Sequence, residues 1–136
     1  MKRLLLVIIL TTFITSCVNS PTMTIKEFLL ADTTDRNEYI NGEYVCRDFA
    51  LDVVHNARKE GFKAYLFSVH WEGTTNETHA IVAFEKSKEF VYADVTQTDS
   101  WVIINFSTGE YTSFDIHTGE VIIKTYIDWW YLDTGK

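Results

Sequence analysis

Between positions 46 and 57 the apolar residues fall at Phe49, Ala50, Val53, Val54 and Ala57, the one-face spacing of an amphipathic helix. The pattern predicts a helix over residues 46–60, with Gly61 as its stop. A shorter helix over residues 24–31 follows from Ile25, Phe28 and Leu29, started by the capping-box pair Thr24 and Glu27. After Gly61 the period changes to two. Residues 62–71, 78–84, 89–96, 101–106, 111–116 and 121–126 read as strands, rich in β-branched and aromatic side chains. Gly109 and Gly119 mark tight turns between the last three. Trp129, Trp130 and Tyr131 then form either a core plug or the rim of a cleft.

The polar stretch 85–88 joins two of these strands as a hairpin. With its turn centred between Lys86 and Ser87, paired residues have numbers summing to 173, which sets His79 directly opposite Asp94. Their shared face also carries Ile81, Ala83, Phe90 and Tyr92, and the long helix is expected to pack there. Cys46, first residue of that helix, sits near the positive end of its dipole, where a thiolate is favoured. An Asp beside a His can fix the tautomer of the ring and stabilise the imidazolium. His55 falls on the opposite side of the helix and reads as solvated, as do Arg47 and Asp48 of the first turn.

The N-terminal pattern differs from the rest. Lys2 and Arg3 precede an apolar run from Leu4 to Ile14, too short for the ~20 residues of a bilayer crossing but suited to an export signal. It ends at Ile14-Thr15-Ser16-Cys17, which resembles a prokaryotic lipoprotein box. Residues 1–16 are therefore expected to be removed, with Cys17 lipidated, residues 17–23 as a tether, and residues 24–136 as one domain. An uncleaved anchor, or an ordinary signal peptide cut elsewhere, fits the same pattern; each puts the domain outside the cytoplasm. Cleavage removes two of the 12 basic residues and none of the 19 acidic ones, moving the formal charge from −7 to −9. That balance, without a basic stripe, speaks against nucleic acid as a partner. With Cys17 committed to lipid, Cys46 has no internal disulfide partner. An unpaired thiol in an oxidising compartment is a liability unless buried or used. Asn76-Glu77-Thr78 is formally a glycosylation sequon.

A cysteine at a helix start, followed by His and Asp on consecutive strands, resembles the transglutaminase-like superfamily. The residues carrying the resemblance are Cys46 with Asp48-Phe49-Ala50, Ala57, Gly61-Phe62-Lys63-Ala64, His79-Ala80, and Val91-Tyr92-Ala93-Asp94-Val95-Thr96. Members often carry an aromatic soon after the His-Ala pair and a Trp shortly before the Asp, whereas this chain has Ile81 and Phe90 or Tyr92. The resemblance implies an α+β fold with a papain-like core, its N-terminal helices packed on an antiparallel sheet. It also implies Cys46 as nucleophile, His79 as general base and then acid, and Asp94 as orienting group. The backbone N–H of Cys46 and the side chain of Asn41 are the expected oxyanion donors. The implied chemistry needs no cofactor and no metal. Its partners would be a peptide or protein substrate of the cell envelope and the membrane, through the anchor, with the chain acting as a monomer. A binding module with an idle triad is the alternative. A zinc site of Cys46, His70 and His79 lacks the close ligand pairs such sites use.

Overall fold

The computed structural model describes residues 20–75 and 77–135. The export segment, Cys17 and Asn76 lie outside the described residues. Helix α1 (Ile25–Ala31) starts at the expected capping box: Thr24 Oγ1 accepts the Glu27 N–H at 3.2 Å, and Glu27 accepts the Thr24 N–H at 2.7 Å. Helix α2 (Cys46–Lys59) ends in a Schellman motif, in which Phe62 N–H reaches Ala57 O and Gly61 N–H reaches Arg58 O. Gly61 supplies the required positive φ of 88°. Among the described residues no helix is long and apolar enough to cross a membrane.

Six strands follow: β1 (Ala64–Trp71), β2 (Thr78–Lys86), β3 (Glu89–Asp94), β4 (Ser100–Asn105), β5 (Glu110–Asp115) and β6 (Val121–Asp133). All neighbours are antiparallel, and the order β1-β2-β3-β4-β5-β6 closes on itself as a barrel. This overturns the papain-like α+β expectation. The cause lies in residues 127–133, whose aromatics conceal a strand. They continue β6, and where residues 121–126 pair with β5, the remainder pairs with β1 and seals the sheet. A closed sheet needs no helix layer to cover its inner face, because that face covers itself.

Closure divides the core in two. Inside the barrel lie Phe67, Val69, Ile81, Ala83, Val102, Tyr111 and Ile127. Outside, the apolar face of α2 (Phe49, Ala50, Val53, Val54, Ala57) packs with α1 over Ala64, Leu66, Ala80, Val82, Phe84, Ala93 and Val95. The helix thus covers the face opposite to the one expected. Ile81 and Ala83 point into the barrel.

The hairpin register also moves. Its turn is Ser87-Lys88, both at positive φ (52° and 74°), as a two-residue type I′ connection requires. Paired numbers sum to 175, as in Val82 with Ala93 and Lys86 with Glu89. His79 therefore faces the level of Thr96, not Asp94. A slip of two keeps every side chain on its face, so His79 and Asp94 remain on one face as diagonal neighbours.

Candidate functional site

Three constraints fix the start of α2. Val45 is extended and its N–H donates to Asp48 Oδ2 at 2.9 Å, so Asp48 is a half-buried cap and not the exposed residue expected. The preceding Tyr44 donates its hydroxyl to Asp52 at 2.5 Å and accepts from Asn37 at 2.9 Å. Its ring lies 4.6 Å from that of the fully buried Phe49. Cys46 is thereby held half-buried at the helix N-terminus, a free thiol beside the first residues of β2.

His79 is the second residue of β2. Its Nε2 lies 2.6 Å from Asp94 Oδ2, with both side chains largely buried. Asp94, last residue of β3, is steadied because its Oδ1 accepts the Thr96 N–H at 3.0 Å. With Nε2 committed to the carboxylate, Nδ1 is the ring nitrogen left for Cys46, which lies near enough to the imidazole for each group to shift the other's protonation. The backbone N–H groups of Ala80 and Arg47 also favour the thiolate. The structure thus brings Cys46, His79 and Asp94 together.

Burial pushes the Cys46 thiol up, but the hydrogen bond from His79, the Ala80 N–H and the positive charge on His79 outweigh it, and the thiol is shifted down. Burial pushes His79 down, yet the hydrogen bonds and negative charges of Asp94 and Cys46 win, and the imidazole is shifted up. Both shifts favour one state, a thiolate beside an imidazolium.

Two further residues complete the surroundings, and neither was flagged in the sequence. Trp71, at the end of β1, stacks on His79 with centroids 5.5 Å apart and planes 21° from parallel, a geometry favourable to a cationic ring. Trp71 in turn meets Tyr111 edge-on at 5.0 Å. Tyr111 is fully buried, and its hydroxyl makes no hydrogen bond among the described residues. Burial and the charge of Asp94 hold that phenol well above its usual range. The β1–β2 register, with Val69 opposite His79, places Trp71 two residues further along the same face. The connection at residues 72–77 is too long for turn chemistry to set that register from sequence.

Asn41 sits exposed in the turn closed by the Ile40–Tyr44 bridge and makes no hydrogen bond to the triad. The Cys46 backbone N–H, first of the helix, has no partner among the described residues. His55 is exposed as expected. His70 is not in the triad: it is buried in β1, stacked on Trp129 at 5.0 Å and 3.6 Å from Asp128. Compared with family models, curated proteins and solved structures, the chain matches none.

Proposed function

We propose that this chain is a thiol-dependent amide hydrolase or acyl transferase, with Cys46 as nucleophile, His79 as general acid and base, and Asp94 as orienting group. The observation that carries this reading is the His79 ring held on one nitrogen by Asp94 at 2.6 Å, with Cys46 near enough for thiol and imidazole to shift each other's protonation. Transglutaminase-like enzymes follow the same residue order. Here the order is set on a closed barrel.

In the first half-reaction the Cys46 thiolate attacks an amide carbonyl, forming a C–S bond and a tetrahedral oxyanion, for which the unpartnered Cys46 backbone N–H is a donor. Collapse breaks the C–N bond as the His79 imidazolium gives its proton to the departing amine. A thioester and neutral imidazole remain. In the second half, His79 takes a proton from water, the hydroxyl adds to the thioester, and collapse releases a carboxylic acid and restores the thiolate–imidazolium pair. A primary amine in place of water yields a new amide, which is transfer instead of hydrolysis. Asp94 holds the ring through both halves and offsets its charge.

The export-like segment and the box at Cys17 support a location outside the cytoplasm on a lipid anchor, with envelope peptides or proteins as substrates. The test is acyl-enzyme capture. Exposed to an activated peptide ester, the native chain should gain one acyl group on Cys46, seen as a mass shift that neutral hydroxylamine reverses; Cys46→Ser should gain no thioester. An added primary amine should appear in the product if the enzyme transfers. A Cys46 that is never acylated would leave a binding module.

A further inference from the structure

Five of the six seams of the barrel are zipped along most of their length. The seam between β3 and β4 is paired only from Tyr92 to Asp94, against Val102 to Ser100. Residues 89–91 of β3 are paired with β2 on one side, and residues 103–105 of β4 with β5, yet these two stretches are not paired with each other. Between them lies a groove of about 530 Å³. Its inner wall is Phe90, Tyr92 and Ile104, with Phe106 set against Phe67 and Tyr92, and its outer wall includes Trp101 and Ile103. Ile103 is 62% exposed, more than any other large apolar side chain among the described residues, and Phe106 is 47% exposed.

We propose that this open seam binds an extended polypeptide segment with alternating apolar side chains, added to the sheet as a further strand. Two features select that occupant. Unpaired strand edges offer backbone donors and acceptors, which a peptide in β conformation satisfies and a lipid chain or compact small molecule does not. The walls also differ by face: inward side chains of a docked strand would meet Phe90, Tyr92 and Phe106, and outward ones Trp101 and Ile103, so apolar positions at a period of two fit both.

Phe90 and Asp94 are four residues apart on β3, a span of roughly 13 Å. On the amidase reading the groove is an exosite: the paired stretch Tyr92–Asp94 separates it from the triad, so a bound substrate leaves the seam there and reaches Cys46 with residues beyond the docked segment. Only this assignment of the bound segment as substrate rests on the amidase reading; the binding itself does not.

The test uses the full chain in detergent carrying Cys46→Ala, so that binding is read without turnover. The probe is an end-capped octapeptide of alternating valine and threonine with a lysine at each end, compared with the same peptide interrupted by a central proline. The first should bind saturably and protect amides of residues 89–91 or 103–105 from hydrogen exchange. The proline peptide should bind at least about tenfold more weakly. Ile103→Lys, at a solvent-facing position, should weaken the first peptide comparably while leaving thermal unfolding unchanged. Equal binding of both peptides, protection confined to other strands, peptide-independent dimerisation through the seam, or no binding would each overturn the proposal. Acylation of Cys46 in the native chain, measured separately, is unaffected by any of these outcomes.

Discussion

Asp94 and Trp71 act on the same imidazole in different ways, and substitution separates them. Asp94→Asn keeps the shape but removes the charge that supports the imidazolium, so kcat/KM should fall by roughly 100-fold or more, with the Asn variant still folded. Trp71→Leu removes a stacked aromatic face and leaves the hydrogen bond intact. It should lower the upper pKa of the activity profile and reduce kcat/KM by only about tenfold, since a stacked cation is stabilised by roughly 1 to 2 kcal/mol. A loss after Trp71→Leu as deep as that after Asp94→Asn would mean that the tryptophan has another role. That Cys46, His79 and Asp94 come together was legible in the sequence, because the placement of each depends on local signals: a helix start, a short hairpin and side-chain parity. Trp71 was not legible, since its place depends on a register set across a long connection.

At the scale of elements, the closing strand carries the main departure from expectation. Trp129 and Tyr131 face outward and are about half exposed, so residues 127–133 lack the clean apolar alternation of a buried strand. Their pairing with β1 is a long-range event that periodicity cannot disclose. A bulge at Asp128 re-aims the strand, and Gly109 lies against it: its carbonyl accepts the Ile127 N–H at 2.8 Å, and a Cβ there would meet Ile127 O at 2.6 Å. Gly119 has a similar φ of 74° but open space around it. Gly119→Ala should therefore cost about 1 kcal/mol for backbone conformation alone. Gly109→Ala should cost roughly 2 to 4 kcal/mol, the excess measuring the closing contact in denaturant unfolding. Equal costs would show that the contact contributes nothing to stability. The two-residue error in the hairpin has a similar origin. Ser87 and Lys88 occupy a left-handed turn without the Asn-Gly chemistry that would have marked it, and parity alone preserved the correct face.

For the molecule as a whole, acidity gathers where the loop after β3 meets the N-terminal segment. Asp99 is 8% exposed, and burial, followed by the charges of Asp35, Asp32 and Asp94, raises its carboxyl to about 7. A carboxyl with a raised folded-state value binds more protons in the fold than in the unfolded chain. The fold is therefore progressively destabilised as pH rises from about 4 to 7, and the cost is complete above that. Asp99→Asn should relieve it: the variant should gain roughly 2 kcal/mol over the native chain at pH 8 and little at pH 4, read from urea unfolding at the two values. A gain that is equal at both pH values would remove ionisation as its cause. The net charge of the chain was plain from composition, whereas the clustering of these carboxylates arises from the fold.

The thiolate–imidazolium pair is the centre of the account, and the rate of Cys46 alkylation by iodoacetamide as a function of pH tests it most directly. The lowered thiol and raised imidazole predict alkylation that stays fast to lower pH than that of an ordinary thiol with a pKa near 8.5. His79→Ala should return the midpoint to that of an ordinary or buried thiol and abolish the fast reaction at low pH. A native Cys46 that alkylates only with a midpoint near 8.5 or above, unchanged by His79→Ala, would contradict the triad.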